Sequence, residues 1–157
     1  MRTILASLAL VTLVACTATG PEPVSVTQGA AVHPVSGLET IPVAVTTGSG
    51  VRTFRAEVVD TPEKRSRGMM GRTEMGADEA MIFLYEDMRN FSFWMKDTPL
   101  ALDIIFIDED RRVINIGEGV PYSEADVKSN APGIAVLELV GGRAAELGIE
   151  PGDRVEW

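Results

Sequence analysis

The residue types best suited to chemistry in this 157-residue chain lie in one short block around Trp94. If residues 93–95 form a strand, alternate side chains share a face, so Lys96 follows the same face as Trp94. An indole beside an ammonium group, with Asp97 in the next turn, can stack a flat group and hold an anion. The alternative is structural: Trp94 is half-buried, Lys96 extends its charge into water, and Asp97 caps the turn. The block is a candidate ligand-binding surface, and the structural alternative is the favoured interpretation.

Four cations form a second cluster within nine residues: Lys64, Arg65, Arg67 and Arg72. Guanidinium and ammonium groups are common partners of carboxylate and phosphate oxygens. A run of charges is also the ordinary solvated face of a helix, and that interpretation is favoured here. Arg72 is therefore kept only as a weaker candidate contact for a ligand.

Among the acids, Asp103 is the first candidate for a catalytic carboxylate. Asp103 opens an otherwise apolar run, and hydrolysis of a glycosidic bond needs a second convergent Asp or Glu. Serine, cysteine and histidine nucleophile schemes lack a base, because the one histidine, His33, falls in a segment expected to be an exposed linker. The sequence therefore favours a protein without catalytic activity, and no catalytic residue is assigned.

No metal or cofactor is predicted. The six methionines between residues 69 and 95 are soft ligands that suit Cu(I), but no Met-x-Met or Met-x-x-Met spacing occurs. The acids at residues 108–110 lack the twelve-residue calcium loop, and no phosphate-binding loop or dinucleotide fingerprint is present. A formal net charge of −9 argues against nucleic acid as a partner.

The N-terminus predicts export and a lipid anchor. The apolar run at residues 4–14 is too short for a membrane-spanning helix and fits a signal peptide over residues 1–15. Residues 13–16, Leu-Val-Ala-Cys, resemble the lipobox of bacterial lipoproteins, in which the cysteine is acylated and becomes residue one. The resemblance implies attachment to the membrane through lipid on Cys16, and Thr17 in place of Asp implies an outer-membrane lipoprotein facing the periplasm. The alternative is an ordinary secretory signal with Cys16 as a spare thiol.

The candidate residues must be positioned by one domain, residues 41–157. It follows a tether at residues 16–40 that is rich in Pro, Thr and small residues and is expected to be disordered. Short β-prone runs between Gly, Pro or acidic breaks predict about eight strands. Thr61 before Pro62 predicts the start of one short helix, and a second lies between two glycines at 142 and 148. The predicted fold is mostly β (α+β), a compact β-sandwich or small barrel with two short helices.

Several blocks resemble an uncharacterised family of bacterial and archaeal proteins, domain-of-unknown-function family 192. They follow the family's order and span nearly the whole domain from about residue 51. The matching blocks are residues 60–63, 67–72, 93–98, 102–108, 136–139 and 148–153. Asp97 stands where Asn is the more frequent residue, a mild departure. The resemblance implies a compact β-sandwich-like fold behind an export signal, and it implies no established activity, ligand or catalytic residue.

The sequence as a whole predicts a membrane-anchored envelope lipoprotein whose β-rich domain binds a small-molecule or protein ligand without catalysis. The candidate contacts are Arg72, Trp94, Lys96, Asp97 and Asp103. The alternative is a carboxylate-dependent hydrolase acting on envelope glycans or other small substrates. That alternative requires two convergent acids in a concave pocket, at least one with a perturbed pKa.

Overall fold

Strands dominate residues 31–157, the part of the chain that the computed structural model describes. Ten strands occur in that range: β1 (Ala31–Val32), β2 (Glu39–Thr47), β3 (Gly50–Val59), β4 (Glu79–Arg89), β5 (Ser92–Phe93), β6 (Leu102–Ile107), β7 (Val113–Gly119), β8 (Val127–Lys128), β9 (Gly133–Val140) and β10 (Arg154–Glu156). Two short helices accompany them: α1 (Pro62–Arg67) and α2 (Arg143–Leu147). Neither helix is long and apolar enough to span a membrane. The predicted signal peptide, residues 1–15, and Cys16 lie outside the described residues.

Eight strands form one mixed sheet in the order β1-β2-β3-β4-β9-β6-β7, with β10 paired to β2. β3 and β4 are parallel, with α1 in the connection between them, and the other neighbours are antiparallel. β5 and β8 form a separate two-stranded ribbon. The prediction of a mostly β fold with two short helices is confirmed, and the sheet is not closed into a barrel. Three strands have only two residues each, which is too short for a sequence pattern to reveal.

Local signals at both helices act as the sequence predicts. The Thr61 hydroxyl accepts a hydrogen bond from the backbone N–H of Lys64, and Pro62 occupies the first turn of α1. α2 begins after Gly142 and ends at Gly148, and both glycines have a positive φ. The Gly148 N–H donates to the carbonyl of Ala145, which satisfies part of the helix end. Short helices of this kind are held by their caps and their contacts with the sheet rather than by their own length.

Each face of the sheet carries its own hydrophobic core. The α2-side core includes the buried β-strand residues Phe54, Ile82, Ile105 and Leu137 and is covered by Ala144 of α2. The α1-side core lies on the opposite face, because side chains alternate along each strand. It contains Val59, Met69, Met81, Phe83, Phe91, Met95, Leu102, Ile104, Phe106 and Val136. Methionine and phenylalanine dominate this second core, whereas the first is mainly aliphatic.

The N-terminal part of the described chain is folded, which corrects the sequence prediction for residues 31–40. β1 pairs with the start of β2, and the chain between them forms a turn in which the His33 N–H donates to the carbonyl of Leu38 at 2.8 Å. His33 is only 6% exposed, and its ring nitrogens lie 3.6 Å from Glu57 and 3.7 Å from Glu79. His33 is therefore a buried residue rather than an exposed linker residue, and the fold begins before residue 41. These contacts come from distant strands, so local composition gave no sign of them.

Candidate functional site

A carboxyl group lies buried in the middle of the sheet, in the α1-side core. β9 runs between β4 and β6, and its Glu138 pairs with Met81 on one side and with Ile104 on the other. Glu138 is 4% exposed, and its Oε2 atom finds no hydrogen-bond partner among residues 31–157. Burial raises the pKa of Glu138 to about 8, because the charged form loses its hydration. At neutral pH the group is therefore a neutral carboxyl that can both donate and accept a hydrogen bond.

Glu138 lines a cleft of about 140 Å³, which we call the Glu138 cleft. Its apolar lining includes Met69, Met70, Phe83, Phe93, Met95 and Leu102. Its polar lining includes Arg65, Arg67, Tyr85, Trp94 and Thr98. Engineered apolar cavities of roughly 150 Å³ hold one benzene molecule, so this volume suits a ring-sized group. The cleft combines apolar surface with several convergent polar groups, and such concavities are common small-molecule sites.

One wall of the cleft is set by the close approach of α1 to the sheet. The helix ends at Gly68, which has a φ of 43°. A Cβ atom at this position would lie 3.2 Å from Cζ of Phe83, so glycine permits both the turn and the short distance. Met69 follows directly and is 4% exposed. The sequence Gly68-Met69 therefore places a thioether side chain against the floor of the cleft.

The opposite wall is the segment that runs from β5 through the turn at residues 94–98. Three backbone hydrogen bonds hold it: Met95 N–H to Ser123 at 2.8 Å, Gly71 N–H to Asp97 at 2.8 Å, and Tyr122 N–H to Thr98 at 3.0 Å. In β5, Phe93 packs edge-on against Phe83, with 5.0 Å between the ring centroids. The wall is therefore fixed to both the α1 region and the loop before β8.

Three of the candidate residues from the sequence lie in this wall. Trp94 lines the cleft and is 52% exposed, so it forms part of the mouth. The Lys96 Nζ atom lies 5.4 Å from the centroid of the indole ring, although β5 ends at Phe93 and the expected strand over residues 93–95 does not form. Asp97 has a φ of 54°, and its backbone carbonyl accepts the bond from Gly71. Lys96 and Asp97 are exposed and adjoin the mouth through Trp94 and Thr98, but they do not line the cleft itself.

The basic cluster is divided by the structure. Arg65 lies over the Tyr85 ring, 4.3 Å from its centroid, and donates to two backbone carbonyls. Arg67 is exposed at the rim of the cleft. Arg72 instead forms an ion pair with the buried Glu57 and lines a different pocket. The structure therefore does not bring Arg72 together with Trp94.

Asp103 has both of its carboxylate oxygens engaged, on the other face of the sheet. Its Oδ1 accepts from the Gly142 N–H at 2.9 Å, and its Oδ2 accepts from the Ala144 N–H at 2.7 Å. Gly142 has no side chain to cap α2, so Asp103 supplies that cap from the neighbouring strand. Asp103 and Glu138 do not converge, because they lie on opposite faces. Asp103, the acid singled out from the sequence, caps a helix, whereas Glu138, which lines the cleft, was not among the candidates.

One signal in the sequence could have identified Glu138. Residues 133–140 read Gly-Ile-Ala-Val-Leu-Glu-Leu-Val, a nearly continuous apolar run of the kind that forms a strand buried on both faces. A single carboxyl in such a run must be buried whichever face it takes. Charged side chains are almost never fully buried unless they are paired.

Comparison with known proteins places the chain among uncharacterised relatives. The model of the DUF192 family, described as "Uncharacterized ACR", matches residues 43–157. A UPF0127 protein from Thermococcus sibiricus is 30% identical over 107 residues, which cover 68% of each chain.

Two solved structures share the fold. A protein of unknown function from Novosphingobium aromaticivorans is 49% identical, with a TM-score of 0.78, covering 88% of this chain and 99% of that one. A protein from Sinorhizobium meliloti, described as a putative transcription regulator, is 38% identical, with a TM-score of 0.72, covering 74% of this chain and 92% of that one. The chain belongs to the DUF192 family, for which no activity is established.

Proposed function

We propose that this protein is a non-catalytic binding module whose Glu138 cleft takes a small uncharged ligand. The ligand carries a ring-sized apolar group and a head that both donates and accepts a hydrogen bond, such as an amide. The observation that carries this proposal is the buried Glu138 carboxyl in the cleft lining, whose Oε2 atom has no hydrogen-bond partner among residues 31–157. An unsatisfied buried polar group costs about 1–3 kcal/mol, which a matching ligand recovers.

The chemistry of the head follows from the protonation of Glu138. A neutral carboxyl and a primary amide can form two hydrogen bonds with each other, one in each direction. A carboxylate ligand would be attracted by Arg65 and Arg67, but to reach Glu138 it would have to leave water for the buried floor of the cleft, which is costly. An ammonium ligand would meet the positive charges of Arg65 and Arg67 at the rim. A neutral amide avoids both penalties.

The remaining lining suits an apolar ring. Met69, Phe93 and Met95 offer polarisable and aromatic surface, and sulfur–aromatic contacts are favourable. Trp94 at the mouth is half-exposed and can cover the outer side of a bound ring. Lys96, next to the indole, places a positive charge beside the mouth where a ligand substituent would emerge.

We test this proposal with three ligands of one shape. Benzamide, benzoate and benzylamine share a benzene ring and differ in the charge of the head, and their affinities for the full chain are measured by calorimetry. Of the three ligands, benzamide should show the tightest binding that depends on Glu138. Glu138→Gln should retain benzamide, because an amide also donates and accepts, whereas Glu138→Leu should weaken it by about tenfold or more. Glu109→Gln, in the exposed loop between β6 and β7, is the control for removal of an acid.

The pH dependence gives an independent readout. As the pH rises through about 8, Glu138 loses the proton that it donates to the amide carbonyl. The affinity of the wild type for benzamide should therefore fall above pH 8, and that of Glu138→Gln should not. Equal benzamide affinity in the wild type and in Glu138→Leu would contradict the proposal.

The alternative, a carboxylate-dependent hydrolase acting on envelope glycans or other small substrates, finds less support. It needs two acids about 5–10 Å apart around the scissile bond. Glu138 is the only acid among the residues that line the cleft. Asp103, on the opposite face, is occupied by two backbone N–H groups. The perturbed pKa of Glu138 meets only one of the two requirements of this alternative.

The cellular setting is also a proposal, and it depends on the sequence alone. A lipid on Cys16 would attach the mature protein to the outer membrane on its periplasmic side. A formal net charge of −9 does not favour anionic lipid headgroups, so the acyl chains would supply the attachment. Labelling with a radioactive fatty acid should mark the wild type and not Cys16→Ala. Labelling of neither form would remove this part of the proposal.

A further inference from the structure

A second pocket, of about 490 Å³, lies on the other side of residues 68–70 from the Glu138 cleft. We call it the strap pocket, because one wall is the N-terminal turn at residues 33–38. Three cations line it, Lys64, Arg67 and Arg72, and Glu63 is the one acid in its lining. Its apolar lining includes Val35, Leu38, Met70 and Met81. The pocket therefore combines hydrogen-bond donors with a patch of apolar surface.

The wall formed by the N-terminal turn is held by specific contacts. The Gly37 N–H donates to the carbonyl of His33 at 2.9 Å, which closes the turn. The Ser36 hydroxyl donates to the carboxylate of Glu57, and Glu57 also pairs with Arg72. This network joins the two sides of the pocket through one buried acid, which is 4% exposed. Specific hydrogen bonds and an ion pair therefore fix the shape of the pocket.

The three cations differ in how they are held. Arg72 is paired with Glu57, and Lys64 lies 2.6 Å from Asp60, whose pKa it lowers through their hydrogen bond. Arg67 forms no ion pair with any residue in the range 31–157. Even the paired groups keep donors free, since an ammonium has three N–H groups and a guanidinium has five. A ligand here must therefore offer acceptor oxygens.

We infer that the strap pocket binds an organic oxyanion, with its phosphate or carboxylate head on Lys64 and Arg67 and its apolar body against Leu38, Met70 and Met81. Arg72 lines the same pocket, and its guanidinium is already oriented by Glu57, so it adds a directed donor to the site. The site is separate from the Glu138 cleft and takes a ligand of different charge. Arg67, Gly68 and Met70 line both pockets, so the two share a boundary.

The experiment measures the binding of phenyl phosphate, benzoate and inorganic phosphate to the full chain. Phenyl phosphate carries both head and body, inorganic phosphate carries the head alone, and benzoate tests a carboxylate head. The double variant Lys64→Gln/Arg67→Gln keeps the length of both side chains and removes their charges. Lys128→Gln is the matched control, an exposed lysine that is likewise paired with an acid, Asp126. Arg72 is left intact, because its removal would strand the buried Glu57.

The wild type should bind phenyl phosphate or benzoate more tightly than inorganic phosphate, and added salt should weaken that binding. The double variant should lose about tenfold or more in affinity, with an unchanged melting temperature, and Lys128→Gln should match the wild type. The stronger of the two aromatic ligands identifies the preferred head.

Three results would overturn the inference. The first is equal affinity in the wild type and the double variant, and the second is no preference for an aromatic ligand over inorganic phosphate. The third is loss of phenyl phosphate binding in Glu138→Leu, since that would place the anion in the Glu138 cleft. Failure of the benzamide experiment would leave this inference standing, because benzamide is not one of its ligands and the Lys64→Gln/Arg67→Gln variant keeps Glu138.

Discussion

Two buried carboxyl groups on adjacent strands behave in opposite ways. Asp103 in β6 faces the α2-side core, and its two oxygens accept hydrogen bonds from the start of α2. Glu138 in β9 faces the α1-side core, and its Oε2 atom has no partner among the described residues. Both are nearly inaccessible, at 9% and 4% exposure. Burial alone therefore does not mark a binding site, and the unmet hydrogen bond of Glu138 is what distinguishes it from Asp103.

The surroundings explain the difference. On the α2 side, a helix begins directly over the strand, and its N–H groups need acceptors that Gly142 cannot supply from a side chain. On the α1 side, the helix ends at Gly68, and the side chains that follow are the thioethers of Met69 and Met70, which are weak acceptors. One acid thus caps a helix, and the other keeps an unmet hydrogen bond that the proposed ligand would satisfy.

The largest effect is expected from removing the satisfied acid. Asp103→Ala leaves the backbone N–H groups of Gly142 and Ala144, at the start of α2, without acceptors, so the free energy of unfolding should fall by about 3–5 kcal/mol. Urea denaturation measures the loss. The matched control is Asp153→Ala, which removes one bond to the Glu150 N–H in a turn and should cost about 1 kcal/mol. If Asp103→Ala lowers the free energy of unfolding no more than Asp153→Ala does, Asp103 is not the stabilising cap described here.

Replacing the unsatisfied acid, Glu138, should raise the free energy of unfolding at high pH rather than lower it. The unfolded Glu138 carboxyl ionises near pH 4.5, and the folded one near pH 8, so the wild type loses stability as the pH rises between these values. Glu138→Gln cannot ionise. It should therefore unfold like the wild type near pH 4 and be more stable by on the order of 3–5 kcal/mol at pH 9. A stability difference that does not change with pH would contradict the assignment of a neutral, buried carboxyl.

A smaller effect is expected at the helix end that forms the cleft wall. Gly68→Ala introduces a Cβ atom 3.2 Å from Phe83 at a positive φ, and it should cost about 1–2 kcal/mol of unfolding free energy. Gly71→Ala is the matched control: its φ is also positive, but nothing lies within 4 Å of the added atom. If Gly68→Ala lowers the free energy of unfolding more than Gly71→Ala does, and also weakens benzamide binding, the close approach of Gly68 to Phe83 shapes the cleft. Equal costs and equal binding would show that it does not.

The smallest effect on stability is expected at the mouth. Trp94→Ala should change the free energy of unfolding by less than about 1 kcal/mol, because the side chain is half-exposed. Phe91→Ala, at 4% exposure in the same core, should cost about 3–5 kcal/mol. Thermal denaturation compares the two, and benzamide titration of Trp94→Ala should show several-fold weaker binding. Unfolding of Trp94→Ala would show that Trp94 is a structural core residue rather than a contact at the mouth.

The sequence predicted the local features of this fold well. Thr61 and Pro62 start α1, glycines bound α2, and Lys96 lies beside Trp94, because each of these depends on neighbours in the chain. The apolar run around Glu138 indicates that this acid is buried, but the sequence could not give the cleft that it lines or the surroundings of His33. Their surroundings are built by strands that are distant in sequence, such as β4 beside β9, and no local pattern specifies that pairing. Asp103 was singled out for its apolar context, which fits a capping acid as well as a catalytic one.

The most direct test of the account is the pKa of Glu138, measured in the full chain by carbon NMR of the labelled carboxyl groups. The signal that is missing in Glu138→Gln identifies the residue. The buried carboxyl should titrate with a midpoint of about 8. A midpoint near the ordinary value of 4.5 would mean that the carboxyl is hydrated or paired. It would then have no unmet hydrogen bond to offer a ligand.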